Sequence, residues 1–176
     1  PSRGELVANA LTSSDPAQWL RDMAEHGAAR YAGFNLLVAT PTHCWHLHRG
    51  HDGVTLTEVA EGVHGLSNAS LNTAWPKLQA VRHALRQHEA GHWRQATRQA
   101  LHDARLADDA ALPDTGVGLI LERQLSAAFI VGETYGTRAT TWLSLSHAGS
   151  VTLTEQRFGP LGRFLGDTTL ATPGSG

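Results

Sequence analysis

A compact apolar run, residues 34–39, and two further strand-like segments, 44–48 and 54–59, follow one another with only turn chemistry between them. Pro41 leads into the second run, and His51-Asp52-Gly53 separates it from the third. Runs of this length suit buried strands, and their close succession predicts an antiparallel meander. Upstream, Ser14-Asp15-Pro16 reads as a capped helix start, with Trp19, Leu20, Met23 and Ala24 on one face and Gly27 closing the helix. Downstream the period changes. Leu78, Val81, Ala84 and Leu85 recur at helical spacing, Gly91 breaks the run, and Trp93, Ala96, Ala100, Leu101 and Leu106 predict a second helix whose arginines form a solvated face. Residues 108–118 read as a loop. Residues 127–131, 140–145 and 151–154 are strand candidates, the last two joined by a hairpin through 146–150. From Gly159 onward the Gly, Pro, Ser and Thr content predicts a flexible tail, 159–176, on a single domain spanning 1–176.

Residues 62–77, Gly-Val-His-Gly-Leu-Ser-Asn-Ala-Ser-Leu-Asn-Thr-Ala-Trp-Pro-Lys, fit no generic amphipathic element. A short apolar approach, a Gly65 hinge and the polar pair Ser67-Asn68 predict a strand end where side chains and amides become available. The Asn72-Thr73 pair is expected to cap the helix that follows, with Pro76 in its first turn, where a missing N–H does no harm. Strand, polar loop and helix entry together make a common binding-site frame.

At 176 residues the chain can bury a core of its own, and 41% hydrophobic with 17% charged residues is ordinary for a globular protein. A formal charge of -2 with histidine neutral offers no broad basic field, so no nucleic-acid partner is expected. Cys44 is the one cysteine, which excludes an intrachain disulfide. No apolar run reaches membrane-spanning length and no signal peptide is visible, so the expected location is cytoplasmic with no membrane span.

Several motifs then occur in one order: Asn35 within Gly33-Phe34-Asn35-Leu36, the Gly65-Leu66-Ser67-Asn68 to Trp75-Pro76-Lys77 segment, Leu112-Pro113-Asp114-Thr115-Gly116-Val117, Tyr135-Gly136-Thr137-Arg138 and Thr154-Glu155-Gln156-Arg157-Phe158. On these the chain resembles the transport-and-Golgi-organisation or NRDE family. The resemblance implies an α+β fold, the N-terminal-nucleophile-hydrolase-like αββα sandwich, with two packed antiparallel sheets covered by helices. Complete members begin Met-Cys and carry an Asn-Arg-Asp-Glu motif shortly afterwards. Neither is present, so the expectation is a fold incomplete at its N-terminus, its usual N-terminal strands absent, cleaved, disordered or on another chain. The implied activity is intracellular ligand handling, with haem binding or transfer, or acyl-coenzyme A and lipid handling, as the ligand classes. The alternative it implies is an amidohydrolase whose N-terminal cysteine nucleophile lies on the absent segment, which would leave this chain inactive alone.

The candidate site residues follow. Asn68 offers a side-chain amide that could donate to a developing oxyanion; the resemblance to choloylglycine-type hydrolases, with a Thr-Asn pair in a similar place, supports Ser67-Asn68 as its counterpart. Arg138 suits a carboxylate or phosphate through its planar fork of donors, or else pairs with Glu133 or Glu155; Glu155 and Arg157 are expected to form a structural ion pair. Lys77, the only lysine, could meet carboxylates, and Trp75 could line an apolar slot. The cluster His43-Cys44-Trp45-His46-Leu47-His48 puts Cys44, His46 and His48 on one face of a strand. Three adjacent side chains along one strand do not close a tetrahedron, so no metal site is expected there. The expected ligand-binding residues are Ser67, Asn68, Trp75, Lys77 and Arg138, and of these Ser67, Asn68, Trp75 and Arg138 are predicted to line one cleft.

Overall fold

The computed structural model describes residues 1–67, 69–87, 91–112 and 118–173, and the chain folds as two compact units, Pro1–Gly62 and Val63–Gly176. It is mixed α and β, with two three-stranded antiparallel sheets among the described residues. No helix of the described residues is long and apolar enough to cross a membrane.

In the first unit, helix α1 (Gly4–Thr12) and helix α2 (Pro16–Asp22) precede the meander β1 (Phe34–Ala39), β2 (Cys44–Gly50) and β3 (Gly53–Glu58). Asp15 caps α2 as read from sequence, its carboxylate accepting from the Gln18 amide at 2.9 Å. A π turn, Met23–Gly27, and a 3-10 turn, Ala28–Arg30, then carry the chain towards β1. Successive side chains take opposite faces, so Phe34 and Leu36 of β1 are buried on one face, while β2 buries Leu47 on that face and His46 on the other. Phe34, Leu36 and Leu47 face a core built with Leu6, Leu20, Met23, Ala28 and Tyr31. The register sets Leu36 beside Leu47 and Leu47 beside Leu56, a continuous apolar row across three strands.

The other face of this sheet is polar. Asn35 stands opposite His48, and its Oδ1 accepts from His46 Nε2 at 2.9 Å and from His48 Nδ1 at 2.7 Å. An amide oxygen can only accept, so both rings donate to it. His46 is 4% exposed, and burial first, then the neighbouring His48, hold its pKa below the ordinary 6.5. The linked stability is fully present above 6.5 and is lost as pH falls from there through the lowered folded value, because the unfolded chain binds the proton first. Urea midpoints at pH 7.5 and 5.5 should therefore fall further for the parent chain than for His46→Gln, and equal falls would remove His46 from the acid response.

In the second unit, α3 (Pro76–Arg86) and α4 (Trp93–Leu101) form the expected helix pair, and β4 (Ala139–Leu145), β5 (Val151–Phe158) and β6 (Phe164–Thr172) form the sheet, with α5 (Leu119–Gln124) before it. Buried Trp142 donates from Nε1 to Thr97 Oγ1 at 3.1 Å, tying α4 to β4. Arg94 reaches Thr154 Oγ1 at 3.2 Å, tying α4 to β5. The expected hairpin closes through Ser146, whose amide donates to Ser150 O at 2.9 Å.

Several expectations are corrected here. The stretch read as a flexible tail contains β6, which pairs with β5 from Phe158 to Val151; the main-chain ladder outweighs a loop-like composition. Residues 127–131 form no strand, since their amides bond to loops: Phe129 N–H donates to Asp103 O at 2.9 Å and Ile130 N–H to Thr137 Oγ1 at 2.8 Å. No strand leads into Ser67, because β3 ends at Glu58. The cap of α3 is Trp75, in extended backbone, and not Asn72-Thr73. Glu155 accepts from Thr141 Oγ1 at 2.9 Å instead of pairing with Arg157. His102 is held between the rings of Phe129 and Phe158, each centroid 5.3 Å away.

Candidate functional site

The loop that carries the Gly-Leu-Ser run is closed by Asn72. Its backbone N–H donates to Gly65 O at 2.7 Å, and its Oδ1 accepts from Gly65 N–H at 3.1 Å. Asn72 sits at φ 67°, the left-handed region that asparagine tolerates better than most residues. Gly65 is required for another reason. A Cβ there would lie 2.5 Å from Leu78 Cδ2 and 2.6 Å from Leu78 Cγ, so the loop can approach α3 only without a side chain. Gly65→Ala should cost about 1–3 kcal/mol through overpacking, read as a shift in the urea midpoint, and an unchanged midpoint would show that α3 yields freely.

Thr73 turns the chain back, its hydroxyl donating to Ser70 O at 2.9 Å, and Trp75 then enters the core at 1% exposure. Pro76 occupies the first turn of α3, where its missing N–H is harmless, as the sequence implied. This places Lys77 on the inner side of the helix start. Its Nζ donates to the carbonyl of Leu125, the C-cap of α5, at 2.7 Å, and stands 5.1 Å from the Trp75 ring centroid. Burial pushes the Lys77 amine below the ordinary 10.5.

Beside Lys77 lies a cavity of about 320 Å³. The loop contributes His64, Gly65, Leu66 and Ser67; α3 contributes Lys77, Leu78, Val81, Arg82 and Leu85; Leu101 and Ala128 complete it. The wall is mainly aliphatic. Its polar groups are Ser67, His64 and two cations, and the Nε of Arg82 is buried without a hydrogen bond. Lys77 and Ala128 also border a second cavity of about 280 Å³, where Asp103, Arg105 and Ser126 supply polar lining. Arg105 grips Asp103 at 2.6 Å and holds its carboxyl down to about 2.

Ser67 and Lys77 of the predicted set therefore meet at one cavity. Trp75 presents almost no surface and acts as the platform beneath Lys77. Arg138 is exposed just before β4, its carbonyl accepting from Phe158 N–H at 2.8 Å, and is not among the cavity's lining residues. Asn68 lies outside the described residues. Sequence reasoning missed His64 and Arg82. Arg82 follows Leu78 by one helical turn on the same stripe, a signal masked by the habit of reading helix arginines as solvated. Among the described residues no group of three or more His, Cys, Asp or Glu side chains is placed to hold a metal. Burial pushes the Cys44 thiol above its ordinary 9.0, which works against a thiolate nucleophile.

Comparison with known proteins agrees with the motifs. The family model Transport and Golgi organisation 2 matches residues 1–160. The chain is 34% identical over 174 residues to the Bos taurus Transport and Golgi organization protein 2 homolog, covering 88% of this chain and 61% of that protein. It is 34% identical over 174 residues to the Mus musculus Transport and Golgi organization 2 homolog and 32% identical over 173 residues to the Homo sapiens Transport and Golgi organization protein 2 homolog, with the same coverage. The chain thus spans 61% of the length of these relatives. With its motifs in order and the family model running through nearly all of its length, the chain belongs to the Transport and Golgi organisation 2 family.

Proposed function

We propose that this chain handles a small amphipathic ligand, bound with its apolar body in the cavity between the 64–67 loop and α3 and its acidic or carbonyl group towards Lys77 and Arg82. Haem and acyl-coenzyme A or another acyl lipid are the ligand classes, as the motif resemblance implies, and the same resemblance supports the N-terminal-nucleophile-hydrolase-like sandwich as the framework. The observation that carries the reading is the pairing of two cations, Lys77 and Arg82, with a mainly aliphatic wall in one cavity. Such a lining suits a ligand with an apolar body and an acidic or carbonyl head, which a cation binds through charge-assisted hydrogen bonds. The cavity sits at the lower end of the roughly 300–1,000 Å³ typical of small-molecule sites, which fits one acyl chain better than a broad macrocycle.

Titration with decanoate tests this. Lys77→Met should weaken binding by about 1.5–3 kcal/mol, the range for a hydrogen bond to a charged group, with the circular dichroism spectrum retained. Affinity should also fall as pH rises towards 10.5, since the burial-lowered Lys77 loses its charge before an ordinary lysine does. Equal affinity in parent and Lys77→Met would sink the proposed pose. Arg138→Ala asks whether the ligand extends to the start of β4, and a loss of affinity would enlarge the site to include it.

A further inference from the structure

The geometry points to Asn72 as a positioning residue that fixes His64 in its Nε2–H tautomer, so that the imidazole offers a hydrogen to an acceptor and withholds a lone pair from a metal. This deepens the ligand reading above and rests on it for the identity of the site. The argument starts from Gly65. A backbone N–H can only donate, so the Asn72 amide atom 3.1 Å from it is Oδ1. The atom 3.0 Å from His64 Nδ1 is then Nδ2, which carries only hydrogens. Two donors at that separation would repel, so His64 Nδ1 accepts, and the neutral ring bears its proton on Nε2.

Asn72 is held to this geometry independently. Its backbone N–H is bound to Gly65 O at 2.7 Å, and its left-handed φ of 67° fixes where the side chain starts. Rotating the amide would set Oδ1 against His64 and Nδ2 against the Gly65 N–H, breaking one bond and opposing two donors. Ligation of a metal through Nε2 would require the proton to move to Nδ1, directly against the Asn72 NH2. Lys77 and Arg82, both cationic, line the same cavity. Together these groups select a carboxylate or thioester carbonyl head, and they disfavour a haem held by His64 through its iron.

The test is a long-range proton–nitrogen NMR spectrum of the chain labelled with 15N-histidine, recorded at pH 8, with His64 assigned by its loss in His64→Gln. The parent should show His64 protonated at Nε2. Asn72→Asp keeps an oxygen for the Gly65 amide but replaces the donor facing His64 with an acceptor, and should move the proton to Nδ1. A parent ring protonated at Nδ1 would overturn the inference, as would a parent in rapid exchange between tautomers. So would a folded Asn72→Asp chain whose tautomer is unchanged; if that variant does not fold, the parent spectrum decides alone. Decanoate should shift the His64 Nε2 signal without changing the tautomer. No response to decanoate from a ring in the expected tautomer would remove the acyl-ligand reading while leaving the role of Asn72 intact. A nitrogen-ligated haem spectrum that His64→Gln abolishes would overturn the exclusion of metal ligation.

Discussion

Trp75→Ala should destabilise the chain by about 3–5 kcal/mol, the range for deleting a large buried aromatic side chain. At 1% exposure the indole has almost nothing left to gain from solvent, so its loss forfeits the whole transfer energy and leaves a cavity behind. The same change removes the ring face under the Lys77 ammonium, 5.1 Å away, leaving the amine with Leu125 O alone. Ligand affinity should therefore fall even in the folded fraction. Trp75→Phe separates the two effects. Because the Nε1 of Trp75 is buried without a hydrogen bond, phenylalanine removes a costly unpaired donor while keeping a ring, and its penalty should be well below that of alanine. Urea unfolding of both variants measures this; a Trp75→Ala loss under about 1 kcal/mol would mean that the indole is not packed as described.

What was legible in the sequence followed from period and turn chemistry. The run from Phe34 to Ala39 gave its strand with the observed limits, and the next two runs gave theirs to within a few residues, because alternation and short connections leave few other solutions. Helices α3 and α4 were legible from their apolar stripes. Helix α1 was missed because only Leu6 and Ala10 of it are buried, too sparse a stripe to stand out. Strand β6 was missed because what stabilises it is the ladder to β5, which composition does not encode. Lys77 reaches a cavity, while Trp75, expected to line an apolar slot, is 1% exposed: an aromatic at a helix cap reads equally as lining or as platform until its exposure is known. His64 and Asn72 face each other only because the loop folds back on Gly65. That closure depends on a left-handed backbone at Asn72, which no periodicity announces.

The first unit yields the second large effect. Leu47→Ala should cost about 2–5 kcal/mol, the range for buried leucines, and speed amide exchange in β1, β2 and β3. Leu47 has no exposed surface and sits mid-row between Leu36 and Leu56, so its removal takes contacts from both neighbouring strands as well as from the core beneath. Leu37 is the matched comparison. It stands one residue from Leu36 on the polar face, beside His46, and is 50% exposed. Leu37→Ala should therefore cost only a fraction of what Leu47→Ala does, since little area leaves the protein interior. The contrast reads the register directly: a strand shifted by one residue would exchange the two faces and make Leu37 the costly position. Equal losses at the two sites would mean that the sheet does not separate an apolar core face from the histidine face in the way these strands do.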